Sequence, residues 1–279
     1  MKPPVALLAF AALPLLLPVP AAATPTPVPR PEGGAAKPAP AAEVKPGTFP
    51  VVAEVGSEDE AKGLLKALDA ALETKEEEKV LEALRPFLTK RHKSFVPDLK
   101  KLVGDRRDGV AAAAAAALGS QGDKGVASTL LGVVKQEVRD RGFLQRTAVK
   151  AAAIESLGRL GVVAASEAIL EVGRAMIREP EVRTSYSGPL LRAVVRFLGV
   201  AKEKKGVSFL IENFDEPVPA DVNSGTNPPA EYWKGRHEGW VLVKDEVRWA
   251  LKEITGKEME SGRRWRNWFD EEGKKLGMK

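Results

Sequence analysis

Few side chains in this sequence could make or break bonds. The chain of 279 residues has no cysteine and two histidines. Absence of thiols excludes disulfides, thiol nucleophiles and thiolate metal sites. His92 and His237 lie far apart, and neither has a second histidine four residues away, so a helical zinc-protease pair is missing. There is no glycine-rich phosphate loop and no G-x-S-x-G turn. Glu76, Glu77 and Glu78 cluster where a helix is expected to open, and carboxylates favour that positive dipole end. Asp215, Glu216, Asp221 and His237 have metal-ligating chemistry but lack a defined ligand spacing. His92 sits in the charged turn TKRHKS and is expected in solvent. No catalytic residue, metal or cofactor is expected.

The remaining chemistry is recognition. Arg192 and Arg196, then Arg248 and Lys252, form i, i+4 basic pairs. A second set lies in Asp215 to Val243, a stretch with Pro217, Pro219, Pro228 and Pro229, expected to be a long inserted loop. There Tyr232, Trp233, Arg236 and Trp240 have the composition of an interface hot spot. The same aromatics could instead fold down as a cap, with Trp233, Arg236, His237 and Trp240 on a short helix. At the C-terminus Trp265, Trp268, Phe269 and Leu276 recur at helical spacing among Arg263, Arg264 and Arg266. Such a helix could stack on nucleic acid, but capping the open end of a helix stack is the expectation.

Repetition identifies the elements that must position these residues. Leu118-Gly119, Leu157-Gly158, Leu198-Gly199 and Ile254-Thr255 each close an apolar stripe. The first three leucines lie at 118, 157 and 198, and an insertion delays the fourth stripe. Counting back four gives Ala114, Ala153, Val194 and Ala250; counting back three gives Ala115, Ile154, Val195 and Leu251. Eight back lie Val110, Val149 and Leu190, with Glu246 the exception. These offsets mark one face of a 3.6-residue helix, and the glycine after each leucine suits a left-handed C-cap. Consecutive alanines Ala111 to Ala117 fall in this register and are expected to be helical, not low-complexity filler. A second helical pattern precedes each stripe, from Phe95, Gly125, Ala164 and Gly206. A helix-turn-helix unit of about 40 residues implies an all-α α-solenoid.

On these stripes the chain resembles the HEAT-repeat family, including the HEAT-like repeats named for phycobilin lyases, from about Ser94 to Gly277. A degenerate helical pair precedes it, over Glu58 to Leu72 and Glu76 to Leu88. The resemblance implies stacked antiparallel helix pairs in a curved superhelix, with the second helices lining the concave side. It implies no reaction. Ile254-Thr255-Gly256 followed by a Trp-rich helix is a similar ending to that of many HEAT-like proteins. In that frame Arg192, Arg196, Arg248 and Lys252 form a basic stripe in the C-terminal half, where upstream repeats carry Ala112, Ala116, Ala151 and Glu155. A solvated charged face is the alternative.

Beyond the repeats, residues 1–23 read as a signal peptide, with Lys2, the apolar run Val5 to Leu17 and Ala21-Ala22-Ala23. That run is too short to span a bilayer. Residues 24–56 read as a disordered Pro/Ala-rich linker, 57–279 as the solenoid, and about 261–276 as its capping helix. Net charge is +5 with both signs interspersed, which gives no case for nucleic acid. The expected protein is exported to the periplasm, envelope or medium, with no integral membrane segment after cleavage. Its expected job is that of a non-catalytic scaffold binding a protein partner, such as an acidic segment, through the concave face and inserted loop. The alternatives are a structural envelope-associated protein and a lyase-like ligand-binding subunit.

Overall fold

Apolar residues at helical spacing and few internal prolines produce a chain of helices joined by short turns. The computed structural model describes residues 47–139, 146–178, 188–219, 221 and 223–278. The signal-peptide reading, and the linker as far as residue 46, lie outside the described residues. The architecture is all-α: α1 (Glu58–Glu73), α2 (Glu77–Thr89), α3 (Val96–Leu102), α4 (Asp108–Ser120), α5 (Ala127–Arg139), α6 (Thr147–Arg159), α7 (Ser166–Arg178), α8 (Gly188–Ala201), α9 (Val207–Glu212), α10 (Ala230–Thr255) and α11 (Gly262–Trp268). The one ladder pairs β1 (Ala53–Glu54) in parallel with β2 (Lys90–Arg91) among the described residues.

Local signals set the helix starts. Ser57 and Ser261 accept hydrogen bonds from Glu60 and Arg264, capping α1 and α11. Asp123 and Glu203 cap single 3-10 turns that feed α5 and α9.

Each odd helix packs on the even one that follows, from α1 on α2 to α9 on α10. The even helices also pack in series: α2 on α4, α4 on α6, α6 on α8, α8 on α10. They run parallel. Gly188 faces Gly239, Arg192 reaches Glu246, and Gly199 meets Trp249 and Ala250 along α8 and α10. The buried face repeats in register. Val110, Ala114, Ala115 and Leu118 of α4 match Val149, Ala153, Ile154 and Leu157 of α6, and Leu190, Val194, Val195 and Leu198 of α8. None of Ala111 to Ala117 is exposed, because α4 is flanked by α2, α3 and α6.

The glycines after the stripes are not caps. Gly119, Gly158 and Gly199 lie inside α4, α6 and α8. A Cβ on Gly119 would collide with Ser156, and one on Gly199 with Trp249. Their lack of a side chain lets neighbouring helices cross closely. Left-handed backbone occurs later, at Gly122, Gly161 and Lys202, four residues beyond each leucine, and at Gly256.

The expected loop over 215–243 is also corrected. Only its first half is irregular; Ala230 to Val243 belong to the 26-residue helix α10. Pro217, Pro219, Pro228 and Pro229 all precede this helix, and Pro229 is its N-cap. Proline pre-sets the helix entry and is absent beyond it. At the C-terminus the expected helix 261–276 is interrupted. Helix α11 ends at Trp268, then a π-turn (Phe269–Gly273) and a 3-10 turn (Lys274–Leu276) follow. The expected linker boundary at 56 shifts as well, since Gly47 to Glu54 lie against the helices. No helix among the described residues is long and apolar enough to cross a membrane.

Candidate binding face

Helices α8 and α10 carry the four basic residues of the expected stripe. Arg192 of α8 donates from Nε to Glu246 of α10 at 2.7 Å. Glu246 is 6% exposed, so this pair bridges two helices with one partner withdrawn from water. Arg196 lies 3.5 Å from Glu155 of α6 and donates from Nη2 to the Thr48 carbonyl at 2.9 Å. Arg248 pairs with Asp245 at 3.1 Å and lies over the Phe214 ring at 5.5 Å. Lys252 pairs with Glu258, whose hydrogen bond and charge raise the Lys252 pKa. Each of the four cations has an acidic partner within the chain. The expected stripe is therefore a mosaic of ion pairs, not a bare basic one.

One member was not legible in the pattern. Arg159 of α6 contacts the Ser120 hydroxyl, and its guanidinium lies 5.2 Å from the centroid of Phe49. Arg196 lies 5.6 Å from the same ring. Burial is the main cause holding the Arg159 pKa below its ordinary value; Glu155 opposes the shift and the Arg196 charge adds to it. Two guanidinium groups thus lie within about 6 Å of the Phe49 ring centroid, a favourable placing for the negative face of a π system. Gly47, in left-handed backbone, packs on Trp249 of α10, while Glu54 pairs with Arg91 at 2.7 Å. The segment Gly47–Glu54 thus reaches α10, α8 and α6 and then the ladder after α2. No periodicity signals such a contact, whose partners are separated by 148 positions.

Beside Trp249 a groove of about 590 Å³ lies between α10 and the C-terminal turn, lined by Arg248, Lys252, Phe214 and Trp265 among others. Its size suits a side chain or small ligand.

The aromatic set occupies the N-terminal half of α10. Tyr232 is buried, stacks edge-on to Trp233 at 5.1 Å and accepts a hydrogen bond from Arg236 at 3.1 Å. Trp240 donates to the Phe214 carbonyl at 3.2 Å. These side chains serve the packing of α10. Arg236 and Arg248 are separated by about 18 Å along the helix, at 1.5 Å per residue over the interval 236 to 248. The sets meet at Phe214, whose carbonyl Trp240 contacts and whose ring Arg248 covers.

The acidic candidates also separate. Asp215 accepts from the Gly262 amide at 3.0 Å and from Arg266 at 3.2 Å. Glu216 pairs with His237 at 2.9 Å, and Asp221 accepts from the Asn223 amide. No group of three or more His, Cys, Asp or Glu among the described residues is placed to hold a metal. His92, expected in solvent, is half-buried; its Nδ1 lies 2.7 Å from the Ser94 hydroxyl and its Nε2 3.6 Å from Glu58. Compared with protein-family models, curated proteins and solved structures, the chain matches none.

Proposed function

We propose that the chain is an exported, non-catalytic α-solenoid scaffold of HEAT-like helix pairs, whose even-helix row binds an extended segment of a protein partner. The observation that carries this reading is Gly47–Glu54 itself. It already lies across that row as an extended polypeptide, held by a main-chain carbonyl, one aromatic ring and one carboxylate.

Chain length supports a concave row. Seven residue steps from Gly47 to Glu54 reach at most about 25 Å. Four helix-to-helix steps at the usual 8–10 Å sum to roughly 32–40 Å along a straight row. The side chains of Trp249 and Arg91 reach toward the two ends of the segment, and a face curved inward would shorten the span further. The parallel even helices and their repeated buried register support the solenoid in the same way. The paired charges favour a partner that competes for them locally, such as an acidic segment, over a polyanion drawn by net charge. Export rests on the N-terminal pattern of Lys2, an apolar run and Ala21-Ala22-Ala23.

The test replaces Arg248 and Lys252, whose side chains are more than half exposed, so the core is left intact. Full-length wild type and the Arg248→Gln/Lys252→Gln variant are used to capture chains from an envelope extract of the native organism. A specific bound chain, weakened about ten-fold by the variant, or about 1.4 kcal/mol, is the expected result. Equal capture by both removes these two residues from the binding face, and no specific capture by wild type or by a Phe49→Ala chain, in which the segment is loosened, removes the scaffold reading.

A further inference from the structure

The contacts of Gly47–Glu54 are those of a ligand more than those of a core element. Val51 is 92% exposed and Pro50 is exposed, so the segment buries little apolar surface. Phe49 is half-buried, with the guanidinium groups of Arg159 and Arg196 both over its ring, at 5.2 and 5.6 Å from the centroid. Arg196 also donates to the Thr48 carbonyl, and the Val55 amide donates to the Arg91 carbonyl at 3.1 Å. Glu54 closes the far end on Arg91. Main-chain bonds combined with a side-chain clamp are the usual means of holding an extended peptide.

Resting on the scaffold reading, we propose that the Arg159–Arg196 clamp and Arg91 form a docking site for an extended peptide that carries an aromatic residue and, five positions later, an acidic one. Gly47–Glu54 occupies this site in cis, and a partner segment of the same chemistry displaces it. Covalent attachment presents the cis segment at an effective concentration on the order of millimolar. A free peptide at micromolar concentration is therefore excluded from the wild-type chain and admitted once the cis contacts are weakened.

The probe is a fluorescent peptide of this chain's own residues Val44 to Gly56, titrated by anisotropy against full-length protein. Phe49→Ala in the protein is expected to tighten peptide binding at least ten-fold over wild type. Adding Arg196→Gln to that variant, or Phe49→Ala to the peptide, abolishes the gain. Hydrogen exchange at the Val55 amide reports whether the segment has left, and circular dichroism whether the helices persist. A second variant, Phe49→Ser/Glu54→Gln, loosens both ends through side chains outside the core. A chain that opens without admitting peptide, that binds peptide no better than wild type, or that unfolds with both variants makes the segment a structural strap and overturns the proposal. Capture of a partner chain by wild type or by the Phe49→Ala variant, read separately, still decides the scaffold reading.

Discussion

At the residue scale, charged side chains within the helix row are the departures from a simple apolar stripe. Glu246 stands where Val110, Val149 and Leu190 stand in the other even helices, and it is buried. Arg192 explains how it is tolerated. Removing one partner of a buried pair leaves an uncompensated charge, at a cost of about 3–5 kcal/mol. Arg192 is itself about one-third exposed, which places the expected loss for Arg192→Ala nearer ~2–3 kcal/mol. Combining it with Glu246→Gln should recover about half of that, read from chemical denaturation midpoints. No recovery would mean that Arg192 acts through packing of its methylene stem. Gln121 is another such residue: its amide donates to the carbonyls of Phe87, Lys90 and Ala117 while its oxygen accepts from the His92 amide. It supplies donors to carbonyls that the end of α2 cannot satisfy internally.

Between elements, small residues set the spacing. Ser156 at the end of α6 sits against Gly119 of α4 and donates to the Ala115 carbonyl at 2.9 Å. Gly119→Ala would gain up to about 1 kcal/mol of helix propensity. The new methyl would meet the Ser156 side chain and also its Cα, so the helices must separate, and overpacking costs about 1–3 kcal/mol. The clash should win, giving a net destabilisation of about 1–2 kcal/mol in thermal or denaturant unfolding. A neutral or stabilised variant would show that the crossing is loose. Helix α10 teaches a related point. Its aromatic N-terminal half had the composition of a binding loop, yet Tyr232 is buried beside Trp233 and Arg236 of the same helix, and Trp240 ties the helix to Phe214.

For the whole molecule, a row of helices leaves its last member with one uncovered side. Helix α11 packs on α9, with Trp265 buried against Phe214 at 6.4 Å and Trp268 at 5.5 Å between ring centroids. Trp265→Ala should cost about 3–5 kcal/mol, and hydrogen exchange should show α9 and α10 opening before α4. Uniform loss of protection along the chain would contradict a row stabilised by neighbour contacts. The helical class, the pairing rhythm and the buried register were legible because each depends on spacing within a few turns of one helix. The i, i+4 spacing of the basic residues was legible for the same reason, but their pairing with acidic partners was not. Arg192 meets Glu246, and Arg196 meets Thr48 and Phe49, across 54 and 148 positions of sequence. The loop half of the insertion was marked by its prolines; the helical spacing of Trp233, Arg236, His237 and Trp240 was visible as the alternative, but not that it continues unbroken into the last stripe. Local periodicity thus determined which faces must be buried. Tertiary packing decided what lies against the remaining face, because contacts between remote segments leave no period in the chain.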